Sequence, residues 1–461
     1  MDLQECSMPE MTQKSTSSIK YYISCGCLLL LLNGCSKEQI LQGEGSIGGL
    51  TPRQAYAVSL EEANLDQTAL GQAWFEAGEQ AMSRAVFVQP PFREVGYMDP
   101  KEVTARGYRI HLQQGQRLSV KVTVPSSDSL NIFIDLYELP EIAGEPPRHV
   151  ATADSSNAIL IEPRKDLTYL ICLQPELLRG GKYRIDIEAG ASLGFPVAGR
   201  TTRHIFSFWG APRDGGRRTH EGVDIFAQKG TPVVAISDGY VSRIDITRIG
   251  GKVIWVRDAL RNQAYYYAHL DEFLVEQGAR VNKGDTLGTV GNTGNAVNTP
   301  SHLHFGIYHL RRPKDPLPFI HNVAESIPGV AADTSQLGHW VRVTSRMASL
   351  RNGPYNESEV VENLPRHTAL LVVGGSSDWY YVQLPNEKHG FVRTRYIEEA
   401  DAPIRKMQLA SGQSLKYRPS YSAVAIDSVG PNSQLTVFGE FEDFVGVRSP
   451  NGRTGWIVAM D

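Results

Sequence analysis

Two hydrophobic periods divide the chain. Over residues 51–92 apolar side chains return every three or four positions: Tyr56 and Leu60 follow Thr51-Pro52, and Leu70, Trp74, Ala77 and Ala81 follow Asp66. Thr51-Pro52 reads as a hydroxyl N-cap with proline at the first helical position, so the segment predicts two short helices in a hairpin. After Pro90-Pro91 the period falls to two, in Tyr108, Ile110, Leu112, then Leu118, Val120, Val122, Val124, then Ile132, Ile134, Leu136, and later Tyr183, Ile185, Ile187. Side chains two apart share one face of a strand, so residues 93–195 are expected to form an antiparallel β-sandwich.

The pattern of this region resembles the pre-peptidase β-sandwiches of exported bacterial enzymes. No cluster of His, Asp or Glu suited to catalysis occurs between Leu50 and Arg200, which leaves it a docking or regulatory role. The C-terminal end repeats itself. Leu350 and Leu415, Pro354 and Pro419, Gly374 and Gly439, Asp378 and Asp443, Pro385 and Pro450, and Gly390 and Gly455 are each 65 residues apart, and Trp379 matches Phe444 as Phe391 matches Trp456. One offset held without a gap over so many turn and core positions means two copies of one β-unit, at residues 337–400 and 401–461. Trp379-Tyr380-Tyr381-Val382 followed by Gly390-Phe391-Val392 resembles the strands of bacterial SH3 domains, which implies two SH3-like β-barrels with a wall or protein ligand. The second copy departs from that pattern at Phe444-Val445-Gly446-Val447.

Length and composition narrow the class. A chain of 461 residues, at roughly 150 per domain, calls for several cores. With 41% hydrophobic and 21% charged residues it is ordinary globular material, and a net charge of −4 gives no reason to expect a nucleic-acid partner. Lys14 and Lys20 precede an apolar run from Tyr21 to Leu32, the length of a signal segment and too short for a permanent membrane span. The run ends in Leu32-Asn33-Gly34-Cys35, which resembles a bacterial lipoprotein signal. It implies removal of residues 1–34, acylation of Cys35 and a tether over 35–50, placing the protein on the periplasmic face of a membrane, the outer membrane foremost, or at the cell surface. Cys172 is then the one thiol left over, expected in a core and without a disulfide.

The chemistry lies in residues 196–325. Three histidine-bearing segments occur in order: His220-Glu221-Gly222-Val223-Asp224, Tyr267-Ala268-His269-Leu270, and Ser301-His302-Leu303-His304-Phe305. On a strand His302 and His304 project from the same face and can reach one centre. A catalytic zinc takes three protein ligands and leaves one position for water. His220, Asp224 and one member of the His302/His304 pair supply such a set, and two neutral imidazoles with one carboxylate leave the ion a Lewis acid that acidifies water toward a pKa of about 7. His269 and the unused member of the pair remain to handle protons and the oxyanion. His220-Glu221 is not the start of His-Glu-x-x-His, because Asp224 stands where the second histidine belongs, so Glu221 is not the expected base.

These segments, with the turns Gly278-Ala279-Arg280-Val281-Asn282-Lys283-Gly284-Asp285 and Gly288-Thr289-Val290-Gly291-Asn292-Thr293-Gly294, resemble the lysostaphin-like (LytM-type) zinc endopeptidases of peptidoglycan, peptidase family M23. The resemblance implies a compact, nearly all-β domain with an open groove, zinc (Zn2+) ligands His220, Asp224 and His304, and catalytic imidazoles His269 and His302. Many relatives have Glu after His-Leu-His-Phe where this chain has Gly306. The expected molecule is therefore mainly β and multidomain: helical hairpin, sandwich, peptidase domain and SH3-like pair. The expected activity is cleavage of peptide stems or crosslinks of peptidoglycan, as a D,D-endopeptidase. The competing readings are a non-catalytic, wall-binding activator of other hydrolases and a zinc peptidase acting on protein substrates.

Overall fold

The computed structural model describes residues 49–126, 130–142, 144–321 and 326–459. The expected leader over 1–34, Cys35 and nearly all of its tether lie outside them. Among the described residues no helix is long and apolar enough to cross a membrane, and the chain is mainly β.

The helical hairpin begins at the expected cap. Thr51 Oγ1 accepts from Gln54 N at 3.2 Å while Gln54 Oε1 accepts from Thr51 N at 2.9 Å, a reciprocal capping box that opens the helix Pro52–Glu62. The second helix starts later than Asp66, at Ala69–Ser83, because Thr68 takes the cap position and accepts from Gly71 N at 3.1 Å. Its stripe of Trp74, Ala77 and Ala81 is buried, but Leu70 is left exposed. Trp74 Nε1 donates to Pro175 O at 2.9 Å, seating the hairpin on the sandwich.

The period-two residues all turn inward. One sheet orders Arg106–Leu112, Leu167–Pro175, Ile132–Glu138 and Arg148–Thr152 antiparallel, with Val86–Phe87 added in parallel at the edge. The facing sheet orders Phe92–Met98, Gly181–Ala191, Gln116–Thr123 and Ala158–Ile161. Cys172 is a buried free thiol, 2% exposed.

That second sheet does not end with the sandwich. Phe92–Met98 also pairs with Ala369–Ser376, through Val95 with Gly375 and Gly96 with Gly374, and Val373, Trp379, Tyr381 and Phe391 of the first C-terminal copy sit in the sandwich core. The sequence reading treats the two as separate modules; strand pairing joins them. Under the 65-residue shift the strands Trp340–Val343, Ala369–Ser376, Trp379–Gln383 and His389–Arg393 fall residue for residue on Arg405–Gln408, Gln434–Phe441, Phe444–Arg448 and Thr454–Val458. Strand order is also the same in both copies. Strand pairing among the described residues does not close the expected SH3-like barrels: Arg405–Gln408 and Ala425–Val429 end the second path without pairing to each other. Strands of four or five residues have few positions with which to bond on both edges, as closure requires.

The middle region forms its own sheet, ordered Ile205–Ser207, Val223–Phe226, His302–His309, Gln263–Phe273, Gly251–Asp258, Gly239–Thr247 and Arg280–Val281. Alternation sorts its two faces. Val223, Ile225, Leu303, Phe305, Ile307, Tyr265, Tyr267, Ile254 and Val256 point into one core. Asp224, His302, His304 and Tyr266 occupy the other face, which is where the chemistry collects.

Candidate metal and catalytic site

Antiparallel register brings the first and third histidine segments together. Asp224 lies directly opposite His304, and Phe226 opposite His302. His220, just before the strand Val223–Phe226, turns its ring onto the same point. His220 Nε2 is 2.9 Å from His304 Nδ1, and Asp224 Oδ1 is 3.0 Å from each of them. These three residues are the group of His, Cys, Asp or Glu that could hold a metal ion among the described residues. The donor set fits zinc. Tetrahedral ligands at about 2.0–2.2 Å from the ion lie slightly further apart than these atoms, so a small outward movement of side chains accommodates it.

The ligand atoms are held by their surroundings. His220 Nδ1 donates to Phe208 O at 2.9 Å, which leaves Nε2 facing the cluster. Arg213 Nη2 donates to Asp224 Oδ2 at 2.6 Å and to Ser207 Oγ at 2.6 Å, so one carboxylate oxygen is committed to an arginine and the other is free for the ion. Burial opposes the charge on Asp224, but hydrogen bonds from His220 and His304 and the charges of those rings outweigh it and hold the carboxyl below the usual range. Burial lowers the pKa of His304, against the pull of Asp224. Gly222 completes the pocket: a Cβ there would stand 2.4 Å from Phe305 O and 2.9 Å from His304 Cε1.

His269 and His302 stand beside the triad with ring centroids 5.0 Å apart, and His269 is 6.0 Å from the His304 ring. Each is tied by Nδ1 to a backbone carbonyl, His269 to Thr293 O at 2.8 Å and His302 to Pro300 O at 2.9 Å. In the neutral tautomer so assigned, each leaves Nε2 as a lone pair. Burial, with His302 and His304 nearby, pulls the His269 pKa down to about 4. Phe226 stacks on His302 at 5.0 Å and 24°, fixing that ring.

His269 reaches the site by a local break in the strand. Tyr265 and Tyr267 face the core, and simple alternation would send the residue at 269 after them. Instead His269 has φ of 61°, its N–H donates to Gly250 O at 2.7 Å, and Leu270 takes the core position. The bulge inserts one residue and turns the imidazole to the other face. All five expected residues therefore lie together. Sequence reasoning missed Arg213, Ser207, Thr293 and Gly222, whose roles rest on contacts that no local pattern announces. Glu221, set aside as a base, is exposed to solvent.

The site lies on an open face. Tyr266 packs 5.8 Å from His304, and Trp255 continues the row with Tyr266 at 4.6 Å and Tyr308 at 5.1 Å. Phe206 and Phe208, near the ligands, are 70% and 47% exposed. Such a ledge suits an extended chain lying across the strands.

Comparison with known proteins places this region. Residues 218–316 match the model of Peptidase family M23. The chain is 41% identical over 122 residues to the L-Ala--D-Glu endopeptidase of Bacillus subtilis, covering 25% of this chain and 37% of the relative. It is 33% identical over 123 residues to the Peptidoglycan DD-endopeptidase ShyC of Vibrio cholerae, covering 27% and 28% respectively. This chain thus spans about a third of the length of those curated relatives. The solved catalytic domain of lysostaphin from Staphylococcus simulans is 32% identical, covering 24% of this chain and 87% of that one, with a TM-score of 0.22. On the matched segment and its relatives, residues 218–316 are a domain of peptidase family M23.

Proposed function

We propose that the protein is a zinc metalloendopeptidase that hydrolyses peptide bonds in peptidoglycan, with D,D crosslinks as its substrate. The observation that supports this most directly is the meeting of His220 Nε2, Asp224 Oδ1 and His304 Nδ1 within 3.0 Å of one another, with His269 and His302 beside them on an open sheet face. Two relatives that share this region are named as endopeptidases, one for L-Ala–D-Glu and one as a peptidoglycan DD-endopeptidase.

His220, Asp224 and His304 would hold the zinc, which when bound supplies Lewis acidity to water and to the scissile carbonyl. The chain's own residues do the rest. His302 and His269 present Nε2 lone pairs, so one imidazole accepts the proton of the attacking water and, once protonated, can donate it to the departing amine. The other, close beside it, accepts a hydrogen bond from the water and so orients it. The pKa of His269, pulled to about 4, keeps that ring neutral through the neutral range, with its Nε2 lone pair free to accept a hydrogen bond. The aromatic row of Tyr266, Trp255 and Tyr308 gives a peptide apolar support along the groove. Acylation at Cys35 would keep the enzyme at a membrane facing the wall, and the C-terminal copies, as SH3-like modules, would hold wall or protein ligands.

The test is digestion of purified sacculi with mass spectrometry of the released fragments. Wild-type protein should release peptides cut at D,D crosslinks. His302→Ala should keep stoichiometric zinc and lose turnover, whereas His220→Ala or Asp224→Ala should lose both. Cleavage at normal rate by the His302 variant would remove it from the mechanism, and zinc binding with no fragment release from any sacculus would make the protein a regulator.

A further inference from the structure

Far from the zinc ligands, between the second helix, the segment Lys101–Gly107 and the two C-terminal copies, lies a cavity of about 420 Å³. Its inner wall holds a buried charge. Arg106 is 4% exposed and forms no ion pair among the described residues. Its hydrogen bond is from Nη1 to Ala105 O at 3.4 Å, its Nε has no partner, and its guanidinium lies 5.6 Å from the Tyr381 ring centroid. Two more buried groups on the same wall lack partners, Thr104 Oγ1 and His389 Nε2. The carboxyl that acts on it, Glu94, has Oε1 bound by Tyr108 and Tyr183 and Oε2 without a partner, and burial pushes its pKa up to about 7, which makes it a weak counter-ion.

A buried cation left without an anion is costly, so an Arg kept in this state against a cavity calls for an oxyanion. The remaining lining narrows the class. Ala73, Ala77 and Val103 offer an apolar floor, and charges of both signs line the rest: Arg84, Lys101 and Arg418 with Glu76, Glu102 and Glu387, of which Glu387 is paired with Arg418 and Glu102 accepts from the Tyr417 hydroxyl. Interspersed charges of both signs complement a ligand that carries a cationic group as well as an anionic one better than a free phosphate, which has no cation to offer Glu76. We propose that this cavity is a second binding site, which takes an amino acid or short peptide by its carboxylate. Arg106 offers the fork geometry suited to a carboxylate, Thr104 adds a hydroxyl, and Glu76 meets the ligand's ammonium group. The volume suits a ligand of two or three residues.

The proposal goes beyond the hydrolytic reading and is tested without it. Calorimetric titration of the full chain with D-alanyl-D-alanine and with L-alanyl-L-alanine should give saturable binding, at a Kd of roughly 1 mM or tighter, for at least one of them. The C-terminal amide of the bound dipeptide should bind at least about tenfold more weakly, as loss of a charge-assisted contact requires, and inorganic phosphate should not compete. Arg106→Gln should abolish binding. Should that variant not fold, Ala73→Phe, which fills the cavity from the helix, decides: it should lose dipeptide binding while cleaving sacculi as wild type does. Binding equal for acid and amide, competition by phosphate, retention in a folded Ala73→Phe, or no saturation by either dipeptide would overturn the proposal. None of these results depends on whether the His302 variant cleaves wall.

Discussion

Gly222 shows how narrow the tolerances are at single residues. Its φ is ordinary, so the demand is for space: the ring of His304 rests where a side chain would be. Gly222→Ala should displace that ring and press on the Phe305 carbonyl, weakening zinc binding by tenfold or more, read by competition with a chelator, and lowering the melting temperature as well. Unchanged zinc affinity would mean the ring adapts at no cost. Arg213 acts one shell further out. By fixing Asp224 Oδ2 it orients Oδ1, and groups that orient metal ligands are typically worth 10–100-fold in metal affinity or activity. Arg213→Gln should lower zinc affinity by that factor, with Arg213→Lys restoring part of it; equal affinity in all three proteins would make the contact incidental. His220, Asp224 and the His302/His304 pair were legible in the sequence because residue type and spacing express them, whereas the choice of His304 over His302 as ligand came from the family resemblance. Arg213 was not, since one arginine in a turn looks like any other. The position of His269 was half legible. Its identity could be read, but its facing depends on a bulge without which alternation would send it into the core.

Among elements, the strand Phe92–Met98 is the least predictable from its own pattern and the most consequential. It falls within the span expected to form the sandwich, but nothing local states that its free edge accepts Gly374 and Gly375 from nearly 280 residues later. The repeated strands were legible because tandem copies expose themselves by subtraction, whereas a pairing between unlike segments leaves no such trace. Around this seam two titratable groups are shifted in opposite senses. Burial, with Arg106 and Arg84 nearby, lowers the pKa of His389 from 6.5 to about 3. As pH falls below 6.5 the unfolded chain takes up this proton first, so the group costs stability progressively down to about pH 3. Burial raises Glu94 from 4.5 to about 7, against the hydrogen bond from Tyr108. There the folded state holds its proton longer, so stability is fully present below pH 4.5 and is lost as pH rises through 7. Thermal melts should therefore show Glu94→Gln losing less stability than wild type between pH 5 and 8, and His389→Gln losing less between pH 6.5 and 4. Parallel curves for all three proteins would show that neither group titrates with folding.

At the scale of the whole molecule, the cores are divided unevenly. The peptidase region keeps its own core, all of it drawn from residues 193–320. The sandwich core is shared, because Val373, Trp379, Tyr381 and Phe391 enter it from the first C-terminal copy. Full burial of a large apolar side chain contributes about 1.5–3 kcal/mol, and four of them together rival the whole stability of an ordinary domain, about 5–15 kcal/mol. A chain ending at residue 330 should thus lose the cooperative melting of its sandwich and expose the strand edge that Gly374 and Gly375 covered. The same chain should still bind one zinc, since His220, Asp224 and His304 and the strands beneath them are untouched. Scanning calorimetry and metal analysis separate the two outcomes. A truncated protein that kept the sandwich transition would show the shared sheet to be a surface contact. One that lost zinc as well would show that the peptidase core leans on its neighbours, for which Arg261 is the evident route: its guanidinium reaches from the peptidase region to Glu162 of the sandwich by two hydrogen bonds of 2.8 Å. Arg261→Ala in the full chain would then reproduce the loss, and retention of zinc in that variant would return the explanation to the truncated edge itself.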